Sequence, residues 1–375
     1  MKKSPLLPAV LGMAAALPLA AQAQQDSSVT VYGVIDMSLA YTSKAAPGNH
    51  SRLSLDSGDQ MASRIGFRGK EDLGGGLSAI FQFETGFSAD DGGMATPGTL
   101  FDRKSVVGIS GHAGTLTLGR QTDSLEDIGT RYTSFQIFGG GGVRAGHFNS
   151  LDRITGARTS NSLRFDTASY GGVTGSLFYG MGEVAGNNAA GRAVGVGANY
   201  AGGAFGIGGA YYQSKLAADA LPARAGDTDL KTFTLGASYQ AGPAKLFAAW
   251  SQTRRPLQAP LAATGLVNIT SATRANIIDI GVDYAHDARL HLLASVIHDR
   301  ADIVRAGAGA TRARTTQLNL GVDYLLSKRT DVYAVFSRQN AGEVNNPGVI
   351  GAAYAVAPTD DSAQNVLRMG LRHKF

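Results

Sequence analysis

Arg64, Arg68 and Lys70 fall on alternate positions of one extended stretch, Arg64-Ile65-Gly66-Phe67-Arg68-Gly69-Lys70. In a strand, residues two apart share a face and lie about 7 Å from each other. The three cations therefore form a basic ladder, with Ile65 and Phe67 on the opposite side. Such a ladder can hold anions, or it can pair with carboxylates and brace a wall. Glu84 supplies a carboxylate of the same kind. It alternates with Phe81 and Phe83 and shares its face with Gln82. Further along, Val106 and Val107 cannot both take the apolar face, so either Arg103 or Lys104 takes the polar one. Arg120 stands where a strand gives way to a long irregular segment, where it can equally anchor the base of that segment or line a passage. That segment, near 123–161, carries the acids Asp123, Glu126, Asp127 and Asp152 and the bases Arg131, Arg144, Arg153 and Arg158. An acidic segment set against a basic wall would create a transverse field that orients water and dipolar solutes. The plainer alternative is that Glu126 and Asp127 are solvated loop charges. At the end of the chain, Arg368, Gly370, Arg372 and Lys374 alternate with Leu367, Met369, Leu371, His373 and Phe375.

None of this resembles a catalytic constellation. The phosphate-binding, dinucleotide-binding, zinc-protease and nucleophile-elbow motifs are all missing from the chain. The seven histidines are scattered without metal-ligand spacing. There is no cysteine, which removes thiolate chemistry and disulfides. The expectation is no enzyme, no cofactor and no metal. The formal charge of +5 falls to +3 once Lys2 and Lys3 are set aside, with both signs spread along the chain. That balance does not suit nucleic-acid binding.

The elements that position these charges are strands. Val194–Tyr200, Phe233–Tyr239, Ile278–Tyr284 and Leu318–Tyr324 are versions of one segment, in which apolar residues alternate with small or polar ones and a tyrosine closes the run. Strict alternation marks a strand whose faces see different surroundings. Short Gly-, Asp- and Pro-rich turns occur at Asp72–Gly76, His112–Gly114, Gly171–Gly172, Ala201–Gly203, Ala241–Pro243, Ala285–Ala288 and Ser327–Thr330. Longer loops are expected near 44–61, 89–100, 123–161, 184–191, 216–230, 255–272, 301–313 and 342–363. Seven short turns and eight long loops join sixteen strands. After residue 23 no apolar run approaches the ~20 residues of a membrane helix. Together these features describe an all-β, transmembrane antiparallel barrel with a polar, water-facing interior. Residues 1–23 read as a signal peptide: a basic start, an apolar stretch from Leu6 to Ala20, and an Ala21-Gln22-Ala23 cleavage site. The barrel then occupies residues 24–375.

Several segments resemble the general porins of β-proteobacteria. They are Val29–Asp36, Ser63–Gly76, Gly114–Gln121, Leu326–Tyr333 and Gly370–Phe375, spread over the whole mature chain. The resemblance implies a homotrimeric sixteen-stranded barrel in the outer membrane of a Gram-negative bacterium. It also implies an inward-folded third loop that narrows the channel, and passage of small hydrophilic solutes and ions. It favours Arg103 over Lys104 as the inward cation. It makes Phe375 part of the signal read by the barrel-insertion machinery. The third loop departs from the family pattern at Gly139–Gly142 and is basic in its second half, so detailed selectivity is not carried over.

The expected lining is therefore Arg64, Arg68, Lys70, Glu84, Arg103, Arg120, Glu126, Asp127, Arg368 and Arg372. Cations outnumber acids in this set, which predicts a weak preference for anions. Two other readings are a barrel enzyme or adhesin without general pore activity, and a soluble secreted β-protein. The first would need a displayed Ser/His or Asp/His set. The second would not need tyrosines at one consistent strand end.

Overall fold

A computed structural model describes residues 28–142, 158–215, 229–254, 269–305, 310–342 and 363–375. The proposed signal peptide, Arg144, Asp152 and Arg153 lie outside the described residues. The first strands are β1 (Ser28–Ala46), β2 (His50–Ser57), β3 (Arg64–Gly74), β4 (Leu77–Gly86), β5 (Lys104–Gly111) and β6 (Gly114–Thr122). Two helices, α1 (Ser124–Tyr132) and α2 (Phe135–Gly142), follow β6. The wall continues with β7 (Arg158–Thr167), β8 (Val173–Gly180), β9 (Ala193–Gly202), β10 (Phe205–Lys215), β11 (Asp229–Ala241) and β12 (Ala244–Arg254). It ends with β13 (Ile269–Ala285), β14 (Leu290–Arg305), β15 (Ala310–Leu325), β16 (Thr330–Gly342) and β17 (Ala363–Lys374).

Every pairing is antiparallel and, β1–β3 apart, joins chain neighbours until β17 returns to β1 with Val34 opposite Lys374 and Thr42 opposite Val366. Phe375 completes the seam by exchanging backbone hydrogen bonds with Gly33 at 3.1 Å in each direction. One half of β1 pairs with β2 and the other with β3. These two strands stack end to end in one wall position, so seventeen strand segments make a closed barrel of sixteen positions. Closure removes the unpaired edges that an open sheet would present.

The exposure pattern inverts that of a soluble protein. In β13, Ile278 and Ile280 are 48% and 56% exposed, while Ile277 and Asp279, which alternate with them, are fully buried. In β15, Leu318, Leu320 and Val322 are exposed outward; Thr315, Gln317 and Asn319 are buried inward. A continuous apolar outer surface of this extent requires lipid rather than water. The tyrosines closing the four repeats, Tyr200, Tyr239, Tyr284 and Tyr324, sit on that surface beside the short turns.

The segment expected to be irregular from 123 begins with α1 and α2, and two features of the wall also differ from the sequence expectation. The first long loop, expected over 44–61, is largely strand, because β1 and β2 carry their pairing out to a one-turn 3₁₀ segment, Pro47–Asn49. The wall is also interrupted at 58–63. There the Asp36 carboxylate accepts hydrogen bonds from the backbone N–H of Gln60 (2.9 Å) and Met61, and from the Tyr333 hydroxyl (2.6 Å). Polar backbone that leaves a sheet inside a membrane must find other partners. Asp36, fully buried on the inner face, supplies them.

Candidate functional site

The inner face of the repeats carries the third loop. Along α1, Leu125, Ile128 and Tyr132 fall at helical spacing. They pack in one cluster with Phe178, Ala193, Ala210, Tyr212, Leu230 and Ala249 from β8 to β12. The repeat glycines make room for the loop. A Cβ on Gly236 would lie 2.4 Å from Tyr132 Cβ, one on Gly197 would lie 3.0 Å from Ser124 Cβ, and one on Gly321 would lie 2.8 Å from the Phe138 ring. Polar inward positions of the same repeats then grip the loop. Tyr132 donates its hydroxyl proton to Asn199 Oδ1. Asp279 accepts from both the backbone N–H and the hydroxyl of Ser134, the residue between the helices. Beyond it, Phe138 is fully buried against Ile277, Leu293, Ile297, Tyr333 and Val335.

The start of α1 is built by local chemistry. Asp123 caps it by accepting from Leu125 N at 2.8 Å, and Glu126 and Asp127 occupy its first turn, where negative charge suits the helix dipole. Arg164 ties this end to β7. Its guanidinium reaches Asp127 Oδ2 at 2.5 Å and Asp166 Oδ1 at 2.8 Å, and donates to the carbonyls of Thr122 and Asp123. Burial raises the Asp127 carboxyl above its ordinary range, and Arg164 beside it pulls the other way. A cleft of about 260 Å³ lies between α1 and the wall, lined by Asp127, Arg131, Arg164 and Asp166 among others.

A second charged group gathers on β3, β4 and the approach to β5. Glu84 is its hub. It contacts Arg103 Nε at 2.6 Å and Arg64 Nε at 3.6 Å, and accepts from the Tyr32 hydroxyl at 2.9 Å. Gln82 donates to the same hydroxyl, and the Arg68 guanidinium stands 5.4 Å from the Tyr32 ring centroid. Arg158 lies within electrostatic reach of Arg103, Glu84 and Glu126. Lys104 lies within reach of Arg164, Glu84, Asp166 and Asp127.

The structure thus brings Arg64, Glu84 and Arg103 into contact, with Arg68 beside them, and leaves Lys70 exposed further toward the short turn. The choice between Arg103 and Lys104 dissolves. Lys104 shares the face of buried Val106, while Arg103 precedes the strand and turns to Glu84 without obeying its parity. Of the two places open to Arg120, the structure shows the anchor at the loop base rather than the lining. Arg120 pairs with Ser105 on the face of Val107 and Leu118, and donates to Asp102 O (2.7 Å) and Ser160 Oγ (3.0 Å). That geometry ties loop bases together. Arg368 and Arg372 face inward but are buried rather than open to water. Arg368 donates to Ser337 Oγ, and Arg372 joins Asp331 and Asp323 at 3.0 and 3.1 Å. Partners from β15 and β16 have absorbed these two cations into the wall. Sequence reasoning missed Arg164, although Leu163-Arg164-Phe165-Asp166 alternates plainly enough to have marked it.

Comparison with known proteins agrees with this architecture. The profile of the family described as Gram-negative porin matches residues 9–343. Outer membrane porin protein 32 of Delftia acidovorans is 29% identical over 389 residues, covering 100% of both chains. An outer membrane porin protein of Bordetella pertussis is 28% identical over 413 residues, again covering 100% of both. Among solved structures, the anion-selective porin from Comamonas acidovorans superposes with a TM-score of 0.76 at 26% identity, over 93% of this chain and 100% of that one. OmpF of Salmonella typhi shares the fold, with a TM-score of 0.68 at 18% identity over 92% of this chain and 97% of that one. An apolar outer wall, a charged interior and a family match over most of its length place this chain among the Gram-negative porins, channels of the outer membrane.

Proposed function

We propose that this porin passes small hydrophilic solutes and ions by passive diffusion, with a weak preference for anions set where the third loop narrows the channel. The carrying observation is the charge balance beside the loop. A single carboxylate, Glu84, answers both Arg64 and Arg103, with Arg68 and Arg158 close by. The acids of α1 lean toward Arg164 and Arg158, so the field between loop and wall runs from those arginines to Glu126 and Asp127. The superposing Comamonas porin is itself described as anion-selective, which supports the same sign. A wide water-filled channel screens its walls over about 8 Å at physiological salt, so the preference weakens as salt rises.

Planar bilayers under a salt gradient test this reading. The wild-type reversal potential is expected on the anion side, by a minor fraction of the about 59 mV that a tenfold gradient sets for perfect monovalent selectivity. Replacing Arg64 and Arg68 with serine is expected to move it toward cations. A wild-type channel that prefers cations, or a double variant with unchanged potential, would show that these arginines serve the wall alone.

Two assembly steps belong to the same reading. The barrel has no free edge, so association into a homotrimer must use its outer wall and loops. Phe375, whose backbone closes the seam at Gly33, is the candidate contact for the barrel-insertion machinery. Native mass measurement in mild detergent should give three chains. Deleting Phe375 should lower the assembled amount far more than a loop deletion does. A monomeric mass would refute the trimer, and equal assembly would refute the role of Phe375.

A further inference from the structure

The outer wall holds charges that the channel does not use. At the long-loop end of β11, β12 and β13, the outward positions are Lys231, Arg254 and Arg274. They stand directly opposite one another, Lys231 to Arg254 and Arg254 to Arg274. One step along, Arg300 of β14 stands opposite Arg314 of β15. All five share the lipid-side face. They continue the outward rows Leu235–Phe233, Ala248–Trp250, Ile280–Ile278, Val296 and Leu320–Leu318. Like charges directly opposite each other on neighbouring strands destabilise a sheet. Partners within the chain answer only part of this belt: Asp229 lies 3.7 Å from Lys231, Arg300 donates to His298 at 3.2 Å, and Asp302, the residue opposite Arg274, contacts Arg312 on its other side at 3.3 Å. Arg254, Arg274 and Arg314 are exposed and make no hydrogen bond or ion pair among the described residues.

The depth of the belt is informative. On β13 the ten steps from Tyr284 to Arg274 span roughly 34 Å at strand rise, which a tilt of about 40° projects to roughly 25 Å, the height of the apolar band of an outer-membrane barrel. Phe233 and Trp250, in edge contact at 5.7 Å, lie just inside the cations at the depth of an aromatic girdle. The belt therefore stands at headgroup level in the leaflet on the long-loop side, which in such barrels is extracellular. The opposite rim of the same strands is different: its outward residues are Tyr239, Leu246, Tyr284, Leu292 and Tyr324, with no cation among them. The charge is thus specific to one leaflet.

We propose that Lys231, Arg254, Arg274, Arg300 and Arg314 form a binding site for phosphate-bearing lipid headgroups of that leaflet. Opposed side chains on adjacent strands lie about 5 Å apart at Cβ, so two guanidinium groups can converge on one phosphate and turn a repulsive row into a bridged one. The lipid's acyl chains then lie along the apolar wall below.

The test uses delipidated full-length protein in a neutral detergent, titrated with phosphatidic acid or phosphatidylcholine and read by native mass spectrometry. Wild type is expected to retain phosphatidic acid at least about tenfold more strongly. The variant Arg254→Ser/Arg274→Ser/Arg314→Ser should fall to near parity. Single-channel conductance should stay unchanged, because the side chains are outside the lumen. If the triple variant yields no channels, Arg274→Ser alone must still lose part of the preference. A turn variant, Arg289→Ser/Arg329→Ser, must keep it. Equal retention of both lipids by wild type, an equal loss in the turn variant, or complete displacement by millimolar inorganic phosphate would overturn the proposal. The last result would mark a free-anion site.

Discussion

Asp279→Ala is expected to free the third loop while leaving the barrel closed. The carboxylate is fully buried on the inner face of β13, and its two oxygens hold the N–H and the hydroxyl of Ser134 between α1 and α2. The two hydrogen bonds contribute roughly 1 kcal/mol each, and a buried N–H left bare adds a desolvation cost. Removing the buried carboxyl group also recovers some of its own desolvation, so the net loss is set at about 2–3 kcal/mol. The loss falls on the loop, because the ladders of β12, β13 and β14 are made by backbone groups that the substitution does not touch. Single-channel recordings should show larger and noisier currents, with the β-type circular dichroism unchanged. Asp279→Asn should fall between, since the amide oxygen still accepts from Ser134 N but its NH₂ cannot replace the second acceptor. Currents of wild-type size and noise in Asp279→Ala would show that Ser134 does not need this anchor.

The barrel could be read from the sequence because its cause is local. Alternation over four to eight residues decides which face meets lipid, and Gly, Asp and Pro decide where the chain reverses. The repeats at 194–200, 233–239, 278–284 and 318–324 all fold as read, with their tyrosines outward. Parity also placed Arg368 and Arg372 inward correctly. It could not show that they are buried, because Asp323, Asp331 and Ser337 come from β15 and β16 and contact them only after closure. The break at 58–63 was hidden for the same reason, since its partners Asp36 and Tyr333 are far off in the chain.

The third loop lies between these cases. Its first helix falls where the sequence reading has only an irregular segment, although the Asp123-x-x-Glu126 pair and the spacing of Leu125, Ile128 and Tyr132 are a capping pattern followed by a helical stripe that could have marked it. Its seat is written in the repeats. The inward glycines at 197, 236 and 321 look like filler in a strand until Ser124, Tyr132 and Phe138 are set against them. The fourth, Gly281, receives the Phe247 ring instead, so the repeat marks room for a neighbour without naming it. The interior charges divide likewise. Arg64, Arg68 and Glu84 follow parity, whereas Arg103 and Arg120 lie at strand ends, where parity lapses and bulges or turns decide direction.

The largest single effect on the loop is expected from Gly139→Ala. Gly139 has φ 63° and ψ −175°, a combination that residues with a Cβ scarcely adopt. A Cβ there would lie 1.4 Å from the carbonyl oxygen of Gln60, within the break in the wall that Asp36 holds. Neither side can yield cheaply. Gln60 and Met61 are fixed through their N–H groups, and Phe138 next door is fully buried among Ile277, Leu293, Ile297, Tyr333 and Val335. The loop must therefore lift, and Phe138 leaves its pocket. Losing a buried phenylalanine side chain costs about 3–5 kcal/mol, which exceeds the expected loss at Asp279. Gly75→Ala is the control. Gly75 also has positive φ, at 61°, but a Cβ there meets nothing within 4 Å, so only backbone strain of about 1–2 kcal/mol applies. Limited proteolysis should cut Gly139→Ala within the third loop and spare Gly75→Ala. Bilayer currents should be enlarged and unsteady in the first and ordinary in the second. Matching behaviour of the two variants would mean that backbone conformation, rather than the close approach of α2 to the broken strand, is what Gly139 provides.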